Sequence, residues 1–497
     1  MDSAARDLGV ARPGPVDDLD WSPQRSAALG HDSVQLWERF LRELPDLPVQ
    51  RGASSEDVLA ALAWTVPDGA EDTSQLLADT AELLLEHSTY PGNGGFLGYV
   101  SGSGTVPGAA ADLLTAALNN NVGGWRLAPG LYALEQHLLR WFTDGLGLPA
   151  ESGGYLTSGG SAANHDALVM ARDARAGWDV RRLGTRGGPR LTVHAPVTVH
   201  DTIQRGADLV GLGHDAVRVA PVGRDERVDV DALRAALAAD VEAGDRPVCV
   251  VASAGTVGTG AVDDLAAVAD VAQEFGAWFH VDGAVGAVGA LVDELRGRFA
   301  GIERADSVSL DPHKWLYVPI ACGVLLVRDA DELTRSFGVE ASYVVQDTDA
   351  PGIAPDAYTR SPFFTRHGAA LKVWWSLRAH GWDAYQRRMV HDCRLAGYLH
   401  DLAEAHPRLE PTNDPQLMIA TFRYVPRDAR GPDAVDELNR QILERLQRSG
   451  RVYPSNAVIG DRFVLRACIV NHRTEAVHLE TLVDLAVTIG DELAAAG

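Results

Sequence analysis

Lysine is nearly missing from this chain of 497 residues. Of its 44 basic side chains, 42 are arginine and only two are lysine, Lys314 and Lys372. Positive charge is also scarce overall, since 68 acidic residues leave a formal net charge of −24. Nucleic acids and anionic membranes select basic surfaces, so this balance argues against both as partners. We interpret the arginine bias as a compositional habit, which makes each retained lysine more informative.

Cysteine and long apolar runs are scarce as well. The four cysteines are Cys249, Cys322, Cys393 and Cys468. They lie far apart and form no CxxC pair, which argues against a disulfide framework and against a structural zinc site. The longest uncharged apolar-rich stretch, 315–327, is too short to span a bilayer, and residues 1–18 lack the apolar core of a signal peptide. We therefore expect reduced thiols, no bound metal and a cytoplasmic protein.

Strand-like and helical segments alternate through the middle of the chain. The β-branched run PVCVVAS (247–253) is followed by the helical pattern DDLAAVADVAQEFG (263–276) and by a second strand, AWFHVDG (277–283). This is a βαβ unit of the length that a parallel sheet requires. The pattern predicts an α/β fold with a mainly parallel sheet flanked by helices.

The pattern also divides the chain into three regions. Residues 1–90 are predicted to form a polar tail and a helical arm. Residues 91–375 carry the alternating segments and are predicted to form the large domain. Residues 376–497 contain an amphipathic helix at 436–450 and a strand at 462–470, which predicts a smaller α+β domain.

A glycine-rich turn leads into a helix in YLTSGGSAANHDALVMAR (155–172), and Ser161 is placed to cap that helix. Free backbone N–H groups at such a turn form an anion site that suits a phosphate. A rival interpretation is the nucleophile elbow of an α/β-hydrolase, in which Ala163 replaces the last glycine. That enzyme would need a late histidine after a strand, for which His472 is the candidate. The motif alone leaves both interpretations open, and we favour the phosphate site.

Three further residues follow predicted strands. Asp282, in FHVDGAVGA, lies at the sheet edge where α/β proteins bind ligands. Lys314, in SVSLDPHKWLYVP, could act there as an amine nucleophile if it is desolvated. His200 follows an alternating strand and could stack on a flat ring. A phosphate cradle, a carboxylate for a pyridine nitrogen and a lysine for a Schiff base are what pyridoxal phosphate needs.

Five motifs then resemble one known family. They are DPHKW, HVDGA, TSGGSAAN, AGTVGTGAVDDL and ALNNNVGGWRLAPGLYALE. They resemble the group II pyridoxal-phosphate decarboxylases of fold type I, and the resemblance runs from about residue 30 to 490. The aromatic L-amino acid decarboxylases look like the nearest subgroup. The resemblance implies pyridoxal 5'-phosphate as the cofactor, an amino acid as the substrate, and a homodimer with its active site at the interface.

The resemblance also implies roles for the matching positions around the cofactor ring. Lys314 would attach the cofactor covalently, and Asp282 would pair with the pyridine nitrogen. His200 would stack on the ring and help to hold the substrate carboxylate or to handle protons, while Ala284 would pack on the opposite face. Thr256 would support His200 or the ring oxygen.

The remaining implied positions surround the phosphate and the substrate. Gly160, Ser161 and His313 would hold the phosphate. Tyr99 and Trp125 match segments that line the substrate pocket.

The chain departs from the family at several positions. Asp201 follows the ring-stacking histidine, where the aromatic decarboxylases usually carry serine, and Gly283 replaces a more usual alanine. Asp311 stands where many relatives have asparagine near the phosphate, and its carboxylate would repel the phosphate unless it turns away. In the predicted mobile loop at 346–364, Tyr358 lies near the tyrosine that protonates the substrate carbon in relatives.

We predict that this lyase removes the carboxyl group of an L-amino acid, of aromatic type, and releases the amine and carbon dioxide. If no tyrosine reaches the site, oxygen could attack the substrate carbon instead and give an aldehyde, ammonia and hydrogen peroxide. An aldehyde synthase is therefore the alternative. A third hypothesis, a non-catalytic homologue that only binds the cofactor, is disfavoured by the intact lysine, aspartate and histidine set.

Overall fold

The computed structural model describes residues 19–52, 54–62, 64–339, 354–428 and 431–496. The chain divides into two compact units, Met1–Thr89 and Tyr90–Gly497. Residues 346–353 of the predicted mobile loop lie outside the described residues. In the described part of the chain, no helix combines the length and the apolarity needed to cross a bilayer.

The first unit contains three helices, α1 (Pro23–Glu43), α2 (Ser55–Ala61) and α3 (Thr73–Glu86). Helix α2 begins with a capping box, because the hydroxyl of Ser54 accepts from the backbone N–H of Asp57 and the Asp57 carboxylate accepts from the N–H of Ser54. The periodicity of the sequence predicts these helices at 31–44, 55–64 and 73–86. The bounds of α3 agree with this prediction, whereas α1 begins eight residues earlier and α2 ends before Trp64.

The second unit holds the remaining elements. Its helices are α4 (Val106–Leu118), α5 (Pro129–Leu146), α6 (Gly160–Arg175), α7 (Val180–Leu183), α8 (Thr202–Leu209), α9 (Val230–Glu242), α10 (Leu265–Glu274), α11 (Pro312–Trp315), α12 (Asp331–Phe337), α13 (Ala370–His380), α14 (Trp382–Ala405), α15 (Pro432–Arg448) and α16 (Ala476–Ala496). Its strands are β1 (Phe96–Leu97), β2 (Gly153–Thr157), β3 (Leu191–Pro196), β4 (Val217–Ala220), β5 (Arg246–Ser253), β6 (Trp278–Asp282), β7 (Ser307–Leu310), β8 (Gly323–Val327), β9 (Leu409–Pro411), β10 (Ile419–Tyr424), β11 (Tyr453–Ile459) and β12 (Arg462–Cys468).

Seven strands form the large sheet, in the order β2-β8-β7-β6-β5-β3-β4. The neighbours from β4 to β7 pair in parallel, whereas β8 is antiparallel to both β7 and β2. Strands β6, β7 and β8 are buried along their whole length, as expected at the centre of a sheet that is covered on both faces. The mainly parallel α/β architecture confirms the fold predicted from the sequence.

The parallel register decides where the functional side chains meet. Ser253 at the end of β5 lies opposite Asp282 at the end of β6, and Asp282 lies opposite Ser309 on β7. The carboxyl ends of these three strands therefore lie at one edge of the sheet. Side chains that are far apart in sequence are placed side by side there.

A second sheet has five strands, in the order β1-β11-β12-β10-β9. Strand β1 pairs in parallel with β11, while β11, β12, β10 and β9 pair antiparallel with one another. Most of this sheet comes from the region predicted as a small α+β domain, at 376–497. Its edge strand β1, at residues 96–97, comes from outside that region. The boundary at residue 375 stays a prediction.

Candidate active site

A cavity of about 470 Å³ opens at the carboxyl edge of strands β5, β6 and β7. Nine of the eleven predicted site residues line it: Tyr99, Gly160, Ser161, His200, Thr256, Asp282, Ala284, His313 and Lys314. These residues are contributed by segments that lie as far apart in the chain as residues 99 and 314. The cavity is therefore assembled by the sheet topology.

Asp282 is held from two sides. Its Oδ1 accepts hydrogen bonds from the backbone N–H of Ala284 and from the hydroxyl of Ser309, both at 3.2 Å. Its Oδ2 accepts from the Nδ2 of Asn164 at 2.9 Å. Three donors on two oxygens fix the direction of the carboxylate in the cavity.

A chain of buried polar groups lies behind Asn164. Burial lowers the pKa of His280 to about 4, so this imidazole is neutral at physiological pH. The Nδ2 of Asn164 donates to the carboxylate of Asp282, so its Oδ1 is the atom that lies 3.0 Å from Nε2 of His280. Because an amide oxygen can only accept, Nε2 carries the ring hydrogen. Nδ1, which carries no hydrogen, then accepts a hydrogen bond from the hydroxyl of Ser307 at 2.9 Å. The oxygen of this hydroxyl accepts a hydrogen bond from the indole N–H of Trp278 at 2.8 Å. Because the indole N–H can only donate, every hydrogen bond in this series is donated in the same direction, from Trp278 toward Asp282.

These hydrogen-bonded groups were not predicted from the sequence, although the sequence contains a signal for them. Trp278, His280 and Asp282 alternate along β6, so their side chains lie on one face of the sheet. Ser307 and Ser309 alternate in the same way on the neighbouring strand β7. Polar residues at alternate positions of two adjacent buried strands indicate a hydrogen-bonded network. Asn164, which closes the network, lies on helix α6, so no local pattern connects it to the strands.

His200 is oriented through the same asparagine. Asn164 Nδ2 also donates to the hydroxyl of Thr202 at 3.0 Å, and that hydroxyl lies 3.1 Å from the Nδ1 of His200. The backbone N–H of Thr202 donates to the same Nδ1 at 3.2 Å, so Nδ1 is an acceptor and the neutral ring carries its hydrogen on Nε2. The hydroxyl partner of His200 is therefore Thr202. Thr256 also lines the cavity, but its hydroxyl contacts Thr259 at 3.0 Å.

The glycine-rich turn provides open backbone donors. Gly159 occupies the N-cap position of helix α6, no side chain caps the helix, and Ser161 lies inside the first turn. The prediction that Ser161 caps the helix is therefore wrong, and the N–H groups of the first turn stay available for an anion. A Cβ atom at Gly160 would lie 2.7 Å from the Cβ of Ala284 and 3.0 Å from Oδ2 of Asp311. Only glycine fits at this position.

Lys314 lies on the one-turn helix α11 beside its own aspartate. Its Nζ is 2.9 Å from Oδ2 of Asp311, whose side chain is 2% exposed. The Oδ1 of Asp311 has no hydrogen-bond partner among the described residues. His313 Nδ1 is 2.6 Å from the carbonyl oxygen of Cys322 and 3.3 Å from the backbone nitrogen of the same residue. Asp311 thus does not turn away from the cavity, because it pairs with the lysine.

Helix α14 anchors the segment that follows the lysine. The buried Asp392 accepts a hydrogen bond from the indole N–H of Trp315 at 3.0 Å and one from the hydroxyl of Tyr317. Its other oxygen accepts from Nε of Arg388 at 2.8 Å. Burial raises the pKa of Asp392 to about 7 despite these donors. The carboxyl group fastens the lysine segment to α14 through two aromatic side chains.

Trp125 and Tyr358 are not among the residues that line the cavity of their own chain. The Trp125 ring lies edge-on to Tyr132 with centroids 5.3 Å apart, and its backbone N–H donates to Asp356 at 2.7 Å. The Tyr358 ring stacks on Phe364 at 5.2 Å. Because Tyr358 N–H also donates to the carbonyl of Gly123 at 3.0 Å, both aromatic residues belong to one neighbourhood outside the cavity.

The cavity residues fit pyridoxal 5'-phosphate. The turn at Gly160 leaves backbone N–H groups and space that only glycine permits, which suits a phosphate. Asp282 is a fixed acceptor, Lys314 offers an amine, and His200 offers a flat ring.

Comparison with known proteins agrees with this fit. The family model described as "Pyridoxal-dependent decarboxylase conserved domain" matches residues 56–425. An L-2,4-diaminobutyrate decarboxylase of Rhizobium meliloti is 32% identical, with 94% of each chain covered. An aromatic-L-amino-acid decarboxylase of Bacillus atrophaeus is 28% identical, covering 92% of this chain and 94% of the relative.

A solved structure extends the likeness to three dimensions. The crystal structure of Oryza sativa TDC with PLP and tryptamine has a TM-score of 0.90 and 28% identity, covering 95% of this chain and 99% of that one. The match of the family model, together with the relative above 30% identity, decides the family. The chain belongs to the pyridoxal-dependent decarboxylases and is a pyridoxal 5'-phosphate-dependent carboxy-lyase that acts on an amino acid.

Proposed function

We propose that the substrate is an aromatic L-amino acid, which is converted to its amine and carbon dioxide. The observation that carries the proposal is the single cavity in which Lys314, Asp282, His200 and the Gly160 turn lie together. One relative is an aromatic-L-amino-acid decarboxylase, and the similar rice structure holds tryptamine, an aromatic amine. Both carry over to this chain as support for an aromatic substrate.

The chain's own residues divide the work of the reaction. Bound pyridoxal 5'-phosphate supplies an electron-accepting ring that stabilises the negative charge developing on the substrate carbon as the carboxyl group leaves. Lys314 holds the cofactor covalently, and Asp282, aligned by its three donors, holds the ring nitrogen. The backbone N–H groups at Gly160 and Ser161, with His313, hold the phosphate. Orientation and electrostatics are thus the protein's contribution.

His200 is proposed to stack on the ring and to handle protons through one nitrogen. Its Nδ1 accepts from the N–H of Thr202, so Nε2 is the nitrogen that remains for the substrate carboxylate. The Asn164 side chain connects this histidine to Asp282, because one amide nitrogen donates to both Asp282 and Thr202. We propose that Asn164 keeps the two groups in a constant relative position.

The walls of the cavity favour an uncharged substrate side chain. No arginine is among its described lining residues, and Tyr99, which lines it, is 59% exposed and tilted toward Tyr453 with ring centroids 6.3 Å apart. An acidic substrate is the second candidate, because Arg466 donates to the carbonyl of Tyr99 at 2.9 Å and lines an adjoining cavity. Burial lowers the pKa of Arg466.

We propose that two chains form a homodimer with the active site at their interface. Helix α4 exposes Leu113, Leu114 and Leu118, and a cluster of exposed apolar side chains is typical of a protein interface. Trp125 and Tyr358 lie outside their own cavity, so in this proposal they complete the cavity of the partner. All four cysteines are free thiols, which supports a reducing compartment such as the cytoplasm.

The experiment is a product balance on the purified protein loaded with pyridoxal 5'-phosphate. Each proteinogenic amino acid, together with DOPA and 5-hydroxytryptophan, is incubated while carbon dioxide, amine, aldehyde and peroxide are measured. We expect equal amounts of carbon dioxide and amine from aromatic substrates alone. Peroxide and aldehyde in place of the amine would show an aldehyde synthase, and turnover of glutamate or aspartate would favour the Arg466 alternative. Absence of carbon dioxide from every substrate would contradict the proposal.

A further inference from the structure

Asp311 is a buried acidic group of the cavity that has no role so far. Its Oδ2 lies 2.9 Å from Lys314 Nζ, and the two side chains are 2% and 20% exposed. The lysine therefore reaches the cavity, while its partner is enclosed. Gly160, at the start of the phosphate turn, lies against the same oxygen, since a Cβ there would be 3.0 Å away.

Covalent attachment places a chemical demand on this pair. A lysine ammonium has no lone pair and must lose one proton before its nitrogen can form a bond. Oδ2 of Asp311 lies 2.9 Å from that nitrogen, which is within the heavy-atom distance that a general base requires. Among the other possible bases, His313 has its Nδ1 2.6 Å from the carbonyl of Cys322 and its Nε2 3.8 Å from Oδ2 of Asp311, which is therefore nearer to the lysine nitrogen than to the imidazole. Asp282 already accepts from three donors.

The free oxygen of Asp311 makes it different from Asp282. Oδ1 of Asp311 receives no hydrogen bond from the described residues, so this carboxyl group can take up a proton without displacing another donor. Once Lys314 has become neutral, an ionised Asp311 would be a buried charge that has lost its partner, which proteins avoid. A neutral carboxyl group would also remove the repulsion between Asp311 and a phosphate held at Gly160.

We propose that Asp311 is the proton acceptor for Lys314. An N–H bond of the Nζ ammonium breaks and an O–H bond forms on Oδ2, the electron pair stays on the nitrogen, and both groups become neutral. The other titratable groups that line this cavity are His313 on the same helix, Asp282 at the end of β6, His200 and Tyr99. The buried thiols of Cys322 and Cys468 also lie near Asp311 and Lys314, respectively. The inference rests on the proposed attachment of the cofactor to Lys314.

The test measures the rate of attachment rather than turnover. Apoprotein is mixed with pyridoxal 5'-phosphate, and attachment is followed by visible absorbance and by borohydride trapping with mass analysis of the Lys314 peptide. Asp311→Asn keeps the shape of the side chain but cannot take the proton. Asp112→Asn is the matched control, because Asp112 lies 3.0 Å from Nζ of Lys372, the other lysine.

At pH 7 we expect Asp311→Asn to slow attachment by about 10²-fold, the lower range for loss of a general base. The slowing should shrink as the pH rises toward 9, because hydroxide can then remove the proton that the amide cannot accept. The rate of the wild-type protein should change much less over this range. Asp112→Asn should attach the cofactor at the wild-type rate.

Two results would overturn the inference: attachment by Asp311→Asn at the wild-type rate at pH 7, or equal slowing at pH 7 and pH 9, which would mean that Asp311 only positions the lysine. If Asp311→Asn does not fold, Asp311→Ser replaces it and acetate is added as an external base. Rescue by acetate then supports the inference, and absence of rescue contradicts it. Wild-type protein trapped at a residue other than Lys314 would instead refute the proposed role of that lysine.

Discussion

Lys314 and Lys372 each lie beside an aspartate, but the two pairs are buried in opposite ways. The distances from nitrogen to oxygen are nearly equal, 2.9 Å to Asp311 and 3.0 Å to Asp112. In the first pair the lysine is 20% exposed and the aspartate 2%, whereas in the second the lysine is 2% exposed and the aspartate 27%. Both pairs border a cavity, but in the first the lysine is the more exposed member and in the second the aspartate is.

The elements that carry the two lysines explain the difference. Lys314 lies on the single turn α11, which directly follows β7 at the carboxyl edge of the sheet. Lys372 lies inside helix α13, and its partner Asp112 lies on α4, so this ion pair joins two packed helices. Lys314 therefore lies at the edge where α/β sheets bind ligands, whereas Lys372 is almost fully covered between two helices.

Replacing each lysine by an apolar residue should give the largest contrast. We expect Lys314→Ala to abolish covalent attachment of the cofactor and to lower decarboxylation by about 10³-fold or more, since a positioned amine is lost. Lys372→Met should keep both properties. Borohydride trapping with peptide mass analysis and carbon dioxide release measure them. Covalent attachment in Lys314→Ala would break the comparison.

Stability should separate the pairs in the opposite direction. Lys372→Met removes the ammonium beside Asp112 and leaves only the exposed His367 ring, 3.5 Å from its Oδ1. We expect a loss of about 1–3 kcal/mol in the free energy of unfolding, because Asp112 is partly hydrated. The double variant Lys372→Met/Asp112→Leu should recover most of that loss, since it removes the uncompensated charge. Denaturant unfolding of the apoprotein measures both. Equal stability of the single and double variants would show that the charge of Asp112 is harmless there.

The cavity that contains Lys314 also depends on His280, a buried and neutral histidine behind Asp282. The folded-state pKa of His280 is about 4, below the value of about 6.5 in an unfolded chain. The unfolded chain therefore binds more protons between these values, and stability is lost as the pH falls from about 6.5 toward 4.

His280→Gln should lower the slope of unfolding free energy against pH by about 1.4 kcal/mol per pH unit in that window, which corresponds to one proton. Denaturant unfolding at pH 6.5, 5.5 and 4.5 checks it. The variant is compared with wild type, because Asp392, whose pKa is raised to about 7, contributes a slope of opposite sign. Parallel curves for the two proteins would mean that His280 titrates normally.

The smallest effect is expected from the exchange of Lys372 for arginine. Arginine keeps the charge beside Asp112, so Lys372→Arg should change the unfolding free energy by less than about 1.5 kcal/mol and leave turnover unchanged. Lys314→Arg should lose covalent attachment completely, because a guanidinium stays protonated. Parallel thermal melts and borohydride trapping test the pair of variants. Attachment in Lys314→Arg would remove the reason for a lysine at this position.

Much of the site could be predicted because it lies at strand ends. Asp282 and Lys314 follow apolar runs, and parallel strands bring such residues to one edge. The partner of Asp282 could not be predicted in this way, since Asn164 is 118 residues away and lies on a helix. The prediction that Ser161 caps helix α6 is wrong for a related reason. The first turn of this helix leaves its N–H groups open for a ligand, and rules for helix caps consider only the local sequence.

The pairing of strand β1 could not be predicted from the sequence either. Two residues, Phe96 and Leu97, pair with Tyr453 and Pro454 in the smaller sheet. So short a strand has no periodicity to read, and its partner is more than 350 residues away. Pairing of this kind is decided when the sheet forms and not by the local sequence.

The sequence by itself determined the alternation of strands and helices, the apolar strands of the large sheet, and the residue types at their ends. These depend on local periodicity and on the common edge of parallel strands. Only the tertiary structure decided that Lys314 is open to a cavity and Lys372 is enclosed, and that Asn164 connects Asp282 with Thr202 beside His200. Burial and hydrogen-bond partnership depend on contacts between residues that are distant in the chain, which no local pattern contains.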